Sequence, residues 1–320
     1  MKRRLPRRAL DGVLLLDKPV GPSSNDALQR VRWLMAARKA GHGGTLDPQA
    51  SGLLPVGFGE ATKFINMMLE ADKTYEAVIE LGARSSTGDA EGVLETIDPA
   101  RACTLADGEI LAVLEQFVGE IDQLPPMHAA LKHEGRPLYA YARAGQEIER
   151  RSRRVRIHRI DLLERAAKRL RIRACVAKGT YIRVLAQDIG EKLGTGGWLA
   201  GLRRTAVGPF GVGQAVTLAS LAAEVGLDAD GAHPAMAQAD WHCPADRRLL
   251  PVEAMLGELP RVDLRNDQAR QFAHGQALYE RICAQPGACR VYGPDRFIGL
   301  GRCDDTRLHP VRLIASSAQS

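Results

Sequence analysis

The feature that most constrains this sequence is the segment GHGGTLDPQASG at residues 41–52, which displays one carboxylate among glycines. Asp47 is its only acidic residue, and Pro48 biases Asp47 toward an extended backbone. Gly43 and Gly44 let a ligand approach the main chain closely, because they have no side chain. The residues that follow, LLPVGF, are mostly apolar. A carboxylate on such a bent, dry loop is suited to act as a nucleophile.

Two interpretations of Asp47 compete at this level. Aspartate is common in Gly/Pro turns because its side chain bonds to nearby backbone, and residue type alone favours that structural role. Hydrolysis of a glycosidic bond normally uses two carboxylates and a water. An isomerase that detaches, turns and reattaches a base excludes water, so one nucleophilic carboxylate is enough. A lone carboxylate in a dry pocket tends to protonate, and a catalytic Asp47 would therefore need a cationic partner.

Length and charge narrow the class of protein. The 320 residues, of which 45% are hydrophobic, suffice for one large domain or two. The 44 basic residues outnumber the 38 acidic ones, which gives a net charge of +6 and a pI near 9.1. This balance is compatible with a nucleic-acid partner. No apolar segment approaches the roughly 18 residues of a membrane-spanning helix, so no membrane association is expected.

The first ten residues, MKRRLPRRAL, are strongly basic and lack the apolar region of a signal peptide. Either a disordered arm that touches RNA phosphates or a solvated tail would explain them.

The cysteines are dispersed through the sequence. They are Cys103, Cys175, Cys243, Cys283, Cys289 and Cys303. None forms a CxxC pair, which argues against a zinc site or a disulfide framework. Reduced thiols and a cytoplasmic location are the simpler expectation.

Hydrophobic spacing predicts alternating strands and helices. In chain order these are a strand at 12–16, a helix capped by Ser23 or Ser24, a strand at 74–81, a helix at 110–118, a strand at 170–176, and a helix capped by Thr180 and ended at Gly194. Residues 225–244 are poor in periodicity and predict a loose connection. From residue 249 onward, short strands and turns predict a small β-rich module.

Residues 124–156 combine many basic side chains with Tyr139 and Tyr141. Basic residues interleaved with aromatics are typical of contact with nucleic-acid backbones and bases. A charged face that only contacts water is the ordinary alternative for such a run.

Several motifs together resemble one family. GHGGTLDPQASGLLPVGFGEATK at 41–63, KGTYIR at 178–183 and LDKPVG at 16–21 are similar to motifs of the TruB-type tRNA pseudouridine synthases. The resemblance covers roughly residues 10–215 and, more weakly, 250–315. It implies an α/β (α+β) fold, in which a catalytic domain with a mixed, largely antiparallel sheet precedes a small β-rich PUA-like RNA-binding domain. The implied boundaries are a basic arm at 1–10, the catalytic domain at 11–245 with a thumb-like insertion at 124–152, and the PUA-like domain at 246–320.

The same resemblance implies a reaction. The expected activity converts the uridine at position 55 in the T loop of tRNA into pseudouridine, after the base has been flipped out of its loop. The tRNA would be held through its T arm, with the insertion gripping it. The resemblance implies no cofactor, no metal and no protein partner, and we expect a monomer.

Five residues are implied to line the active site. In the family pattern Asp47 is the nucleophile and Arg183 its cationic partner, while Tyr75 stacks on the target base, an interaction worth roughly 1–3 kcal/mol. Tyr181 is implied to be a second substrate contact and Leu202 a pocket wall. Each residue has an ordinary alternative: a surface arginine for Arg183, a half-buried strand aromatic for Tyr75, and a core leucine for Leu202.

Two further residues are implied to bind RNA. His42 is implied to fill the stack that the flipped uridine leaves, since flipping costs a few kcal/mol. Lys18 matches the family's first motif, where a structural ion pair and a phosphate contact are equally plausible roles. Gly43 departs from the alanine or threonine that is more familiar at its position, and the sequence KHEGRP at 132–137 departs slightly from the usual basic pattern.

Three rival functions stay open. A guide-RNA-dependent relative of the dyskerin type carries the same catalytic motifs, although the segment 124–156 favours the stand-alone enzyme. A non-catalytic tRNA-binding protein or folding chaperone would not need Asp47, Tyr75 and Arg183 together. A nucleotide hydrolase is disfavoured because the sequence has no GxxxxGK[ST] motif.

Overall fold

The computed structural model describes residues 7–127, 132–138, 141, 144–227, 233–236, 242–279 and 285–315. The strands are β1 (Gly12–Lys18), β2 (Ala40–His42), β3 (Ala50–Phe58), β4 (Lys73–Leu81), β5 (Ala83–Ser85), β6 (Leu94–Thr96), β7 (Gly119–Gln123), β8 (Lys132–His133), β9 (Arg136–Pro137), β10 (Arg153–Ala166), β11 (Arg169–Val176), β12 (Gly197–Val207), β13 (Phe210–Gly211), β14 (Val216–Thr217), β15 (Arg261–Asp263), β16 (Gly287–Tyr292), β17 (Phe297–Cys303) and β18 (Leu308–Leu313). The α-helices are α1 (Ser24–Leu34), α2 (Asn66–Glu70), α3 (Pro99–Thr104), α4 (Asp107–Gln116), α5 (Ile182–Lys192), α6 (Leu218–Val225) and α7 (Asn266–Ala273).

One ten-stranded sheet organises the chain from β1 to β14. Its order is β14-β1-β3-β12-β4-β11-β10-β7, with β2 paired to β3 and β13 paired to β12. Only β1 with β14 and β3 with β12 run parallel; the other pairs are antiparallel. The predicted mixed, largely antiparallel sheet is confirmed.

The parallel contact between β3 and β12 brings the segment 41–52 to the middle of this sheet. Gly52 has φ +105°, and a Cβ there would lie 2.2 Å from the carbonyl oxygen of Arg204. Only glycine therefore lets the two strands approach at this point. The loop that carries Asp47 lies between β2 and β3 and is anchored at its far end by this close pairing.

Helices pack against both ends of the sheet and bury apolar residues there. On one face, α4 and α5 pack against the inward side chains of β4 and β11, among them Ile79 and Ile172. At the other end, α1 and α6 cover β1 and β3 around Leu16 and Val56. The loop that carries Asp47 lies where these two halves of the sheet meet, at β3 and β12.

The C-terminal strands form a second, four-stranded sheet in the order β15-β16-β17-β18. This confirms the predicted β-rich module. The module shares a hydrophobic cluster with the large sheet, in which Phe64 and Phe297 have ring centroids 5.8 Å apart. Leu250 also exchanges backbone hydrogen bonds with Val13 of β1.

Several local predictions need correction. Of the two predicted caps of α1, Ser23 and not Ser24 is the cap, and it exchanges hydrogen bonds with Asp26. Thr180 does not cap α5: its hydroxyl donates to the carbonyl of Ala177, and Tyr181 occupies the cap position. The helix expected at 110–118 spans Asp107–Gln116 instead.

The C-terminal half holds two further differences. The module contains α7, which the sequence did not reveal because only Gln268 and Phe272 of this helix are buried. The connection predicted to be loose is partly packed, since the ring of His233 contacts Trp33 and its Nε2 bonds to the carbonyl of Leu34 at 2.9 Å. A buried polar contact of this kind is what periodicity cannot show.

The described end of the basic N-terminal arm is docked rather than free. The guanidinium of Arg8 pairs with the carboxylate of Asp246, and its backbone amide donates to Ala36. Arg7 donates to the carbonyl of Arg32. The prediction of a free arm is therefore wrong for these two residues.

The cysteines and the helices bear on two other expectations. Cys103, Cys175, Cys243 and Cys289 are free thiols, whereas Cys303 is disulfide-bonded. The prediction of reduced thiols is thus wrong for Cys303.

Along the described ranges, no helix is both long and apolar enough to cross a membrane.

Candidate active site

A pocket of about 370 Å³ opens at the junction of the two halves of the large sheet. Its walls include Asp47, Tyr75, Tyr181, Arg183 and Leu202. The structure therefore brings together the five residues that the sequence implied for the site. They come from the β2–β3 loop, β4, the approach to α5, α5 itself and β12.

The centre of the pocket is an ion pair between Arg183 and Asp47. The Arg183 side chain is 10% exposed, whereas that of Asp47 is 52% exposed and open to the cavity. The Nε of Arg183 also lies 2.9 Å from Oδ2 of Asp89, whose side chain is 10% exposed. Arg183 thus bridges one buried and one accessible carboxylate. The bond to buried Asp89 fixes the orientation of the guanidinium, and the guanidinium in turn holds Asp47.

Asp89 also belongs to the site, although no motif in the sequence singles it out. Its Oδ1 accepts from the hydroxyl of Thr87 at 2.6 Å and from the amide of Glu91 at 3.1 Å. At Gly88, φ is +80° and a Cβ would lie 2.8 Å from Cγ of Arg183. The glycine therefore lets this turn approach α5 closely enough for the carboxylate to reach the arginine.

Two buried side chains hold the backbone of the Asp47 loop. Ser24 bonds to both the amide and the carbonyl of Leu46. Arg204, 1% exposed, donates to the carbonyls of Leu53 at 2.8 Å and Gly44 at 3.1 Å. Burial lowers the pKa of Arg204, and the Tyr75 side chain opposes that shift. A buried cation needs hydrogen-bond acceptors, and here the loop carbonyls supply them. Any change in the loop conformation would therefore leave the Arg204 guanidinium without acceptors.

Tyr75 and Leu202 reach the pocket from neighbouring strands. In the antiparallel pairing of β4 with β12, Tyr75 lies opposite Arg204 and Leu202 lies opposite Ala77. Leu202 also pairs with Ala50, at the start of β3. An aromatic and an aliphatic wall therefore come from strands that are fixed on both sides.

Tyr181 is positioned through its backbone. Its amide donates to Oε1 of Gln123 at 3.0 Å, and Nε2 of Gln123 donates back to the Tyr181 carbonyl at 3.4 Å. Burial raises the pKa of the Tyr181 phenol, an effect that the nearby Arg153 opposes. The phenol is therefore neutral at pH 7 and is available as an apolar face with a polar tip.

Comparison with known proteins identifies the family. Residues 32–182 match the TruB family pseudouridylate synthase (N terminal domain), residues 183–257 the tRNA pseudouridylate synthase B C-terminal domain, and residues 260–314 the C-terminal domain of pseudouridine synthase II TruB. A tRNA pseudouridine synthase B of Aromatoleum aromaticum is 48% identical, over 98% of this chain and 96% of its own. One of Cupriavidus taiwanensis is 51% identical, over 97% and 96%.

The chain belongs to the TruB family.

Solved structures agree with the fold of this TruB-family protein. A structure of an H/ACA RNP bound to a substrate RNA matches with a TM-score of 0.69 and 25% identity, over 95% of this chain and 84% of that one. A Cbf5-Nop10-Gar1 complex matches with a TM-score of 0.68 and 27% identity, over the same shares. The predicted α/β pseudouridine-synthase fold is confirmed.

His42 and Lys18 do not line the pocket of the TruB-family chain. His42 ends β2, and its buried Nδ1 has no hydrogen-bond partner among the described residues. Burial and the charge of Arg204 lower the pKa of His42, so its imidazole is neutral at pH 7.

Lys18 is fully buried, and its Nζ donates to the carbonyls of Pro19 and Pro22 at 2.8 and 2.9 Å. Burial lowers the pKa of Lys18, and the charge of Asp47 opposes that shift. Two of the three ammonium donors are bonded within its own turn, and the side chain is inaccessible to solvent, so a direct contact with an RNA phosphate is not available to it.

The close packing of Met68 accounts for the glycine at position 43, where the family pattern has a larger residue. A Cβ at this position would lie 2.5 Å from Cβ of Met68. The α2 helix therefore packs directly on the loop where a larger residue was more familiar.

The predicted basic segment is partly described. Arg151, Arg153, Arg154 and Arg156 are exposed at the start of β10, near the edge strand β7. Arg153 is close enough to Tyr181 to influence its ionisation, which places basic charge beside the pocket. Tyr139 and Arg143 lie outside the described residues.

Proposed function

We propose that this protein converts uridine into pseudouridine at position 55 in the T loop of tRNA. It acts as a monomer, without guide RNA or a protein partner, in the cytoplasm. Residues 11–245 serve as the catalytic domain with a thumb at 124–152, and residues 246–320 as a PUA-like RNA-binding domain. Membership of the TruB family supports this proposal. So do the relatives named tRNA pseudouridine synthase B, which are 48% and 51% identical over almost the whole chain.

The observation that carries the mechanism is the Arg183–Asp47 ion pair inside a pocket with an aromatic and an aliphatic wall. A carboxylate that is accessible yet held by a buried guanidinium is a positioned nucleophile. Tyr75 and Leu202 are neighbours on the adjacent strands β4 and β12, and together they offer a flat uracil ring an aromatic surface for stacking and an aliphatic surface for apolar contact.

The chemistry follows from these positions. The target uridine flips into the pocket, where Tyr75 stacks on it and Tyr181 contacts it. Asp47 then forms a covalent bond to the ribose or to the pyrimidine ring. The bond between ribose C1′ and N1 breaks, the uracil turns, and C5 bonds to C1′. The bond to Asp47 also breaks, which returns the free carboxylate. The C5 proton leaves and N1 gains a proton, so the reaction is an isomerisation that consumes no water.

The exposed arginines of β10 are assigned to the RNA backbone. A basic edge beside the pocket attracts phosphates and aligns the T arm. We assign His42 to the space that the flipped base vacates, since a neutral imidazole can stack on a neighbouring base. The base is thereby kept out of its loop while the reaction proceeds.

The decisive test incubates the purified protein alone with an unmodified tRNA transcript and maps pseudouridine. Product at position 55 without guide RNA is the expected result. Asp47→Asn should abolish product while tRNA binding stays within a few-fold. Retained turnover in this variant would remove Asp47 from the mechanism. Absence of product with the intact protein would favour the guide-dependent or purely RNA-binding alternatives.

A further inference from the structure

A second ion pair joins two walls of the pocket, between Glu70 and Lys178. Leu69, the neighbour of Glu70, lines one wall, and Gly179, the neighbour of Lys178, lines another. The side chains of Glu70 and Lys178 are 61% and 59% exposed, so the pair lies at the surface. The two charged groups therefore meet at the surface, each one residue away from a position that lines the cavity that holds Asp47.

The backbone on the Glu70 side is anchored from below. The buried ammonium of Lys73 donates to the carbonyls of Leu69 at 2.6 Å and Ala71 at 2.5 Å, on either side of Glu70. The main chain at Glu70 is thus held in place. Separating the pair requires only rotation of the Glu70 and Lys178 side chains, not movement of α2.

The energetics favour exchange of the partner. An ion pair this exposed contributes little net stability, because water solvates both groups well when they separate. A phosphate oxygen offers Lys178 the same charge-assisted hydrogen bond that Glu70 provides. An RNA strand at the pocket mouth would also be repelled by the Glu70 carboxylate, which raises the drive to replace it.

We propose that the Glu70–Lys178 pair is a latch across the pocket mouth, and that a backbone phosphate of the RNA replaces Glu70 on Lys178 when the target nucleotide enters. Glu70 acts as an internal mimic of the phosphate in the free protein. Lys178 then holds the strand beside Tyr181. This inference rests on the proposed function, because it requires RNA at this pocket.

Binding of unmodified tRNA to Asp47→Asn protein, measured over a salt series, tests the latch. Lys178→Met should weaken binding and lower the slope of log K against log salt by about 0.7–0.9, the value for one bound phosphate. Glu70→Gln should strengthen binding about two- to fivefold, as expected for release of an exposed ion pair. In Glu70→Gln/Lys178→Met the gain should vanish, because the released lysine is absent.

Asp72→Asn is the matched control. Asp72 is also exposed and two residues from Glu70, but it faces His158 at 3.1 Å rather than Lys178. It measures the effect of removing one negative charge from this surface. An equal gain from Asp72→Asn, a Glu70→Gln gain that survives loss of Lys178, or an unchanged salt slope would overturn the latch.

Pseudouridine formation by the intact protein on the same tRNA keeps the two proposals apart. Product together with an unchanged salt slope in Lys178→Met refutes the latch alone. Absence of product together with the expected binding changes refutes the reaction, while the phosphate contact stands.

Discussion

Ser24 and Leu46 exchange two hydrogen bonds. The hydroxyl of Ser24 donates to the carbonyl of Leu46 at 2.9 Å and accepts from its amide at 2.7 Å. Ser24 is 2% exposed and begins α1, and Leu46 immediately precedes Asp47. The first turn of a helix thereby fixes the backbone that presents Asp47, the proposed nucleophile.

Replacing Ser24 by alanine should impair both stability and turnover. The buried amide and carbonyl of Leu46 would be left without their partner, at about 1–3 kcal/mol, and Asp47 would be held less firmly. Ser23→Ala is the control, since it removes only the helix cap, at about 1 kcal/mol. We expect a lower kcat for Ser24→Ala alone, measured by single-turnover pseudouridine formation; equal kcat values would assign Ser24 to stability only.

Asp89→Asn should lower kcat about 10- to 100-fold, because Arg183 loses the buried anion that orients it; a charge-assisted hydrogen bond of about 1.5–3 kcal/mol accounts for such a loss. Binding of tRNA should stay within a few-fold. Asp161→Asn, which removes a half-buried carboxylate paired with Arg159 outside the pocket, should leave both quantities unchanged. An Asp89→Asn enzyme with normal kcat would show that Asp47 alone orients Arg183.

Gly43→Ala should destabilise the protein by about 1–3 kcal/mol, because the added methyl overlaps Cβ of Met68 and forces α2 from the loop. Gly41→Ala provides the comparison two residues earlier, in β2, where the nearest atom to a new Cβ is Thr62 Cγ2 at 3.9 Å. Chemical denaturation of both variants measures the difference. Equal stabilities would mean that α2 moves aside without cost.

Lys73 should make stability depend on alkaline pH. Burial and the charge of Arg204 lower the pKa of Lys73 to about 8, below its unfolded value of about 10.4. Between these values the unfolded chain binds the proton more strongly, so the free energy of unfolding rises with pH. The stability of the wild type relative to Lys73→Met should therefore increase from pH 8 to 10, by about 1–3 kcal/mol. A flat difference across the denaturation series would contradict the shift.

Neutralising Arg151, Arg153 and Arg154 together should weaken tRNA binding and reduce its salt dependence, by about 0.7–0.9 in slope for each phosphate that the variant no longer binds. The matched control neutralises three arginines of the next strand. These are Arg169, Arg171 and Arg173, which are paired with Glu76, Glu80 or Glu164. Among the described residues only Arg154 of the tested set has an acidic partner, Glu120 at 3.8 Å. All three control arginines are paired, so their removal should change the slope less. Equal changes would return the β10 run to a general charged surface.

The sequence predicted the residues that touch the pocket better than those that hold them. Asp47, Tyr75 and Arg183 lie in motifs whose side-chain chemistry points to a reaction, and the structure places all three on one cavity. The strand periodicity around Tyr75 was also correct, since β4 alternates between core and surface.

The supporting residues were missed for a physical reason. Asp89 lies in a Gly/Asp turn, where aspartate ordinarily serves local hydrogen bonds, and its bond to Arg183 spans a sequence separation that no periodicity reports. Arg204 gave a usable signal, because an arginine at an inward position of an apolar strand needs buried acceptors. Gln123 offered none, since its role depends on where the edge of β7 meets Tyr181.

Through the cluster that contains Phe64 and Phe297, the C-terminal module packs against the large sheet and helps to hold it in place. Phe64 directly precedes the segment that leads into α2, the helix that supports Leu69 and Glu70 at the pocket. Loss of packing in the module would therefore also loosen the pocket wall that Leu69 forms.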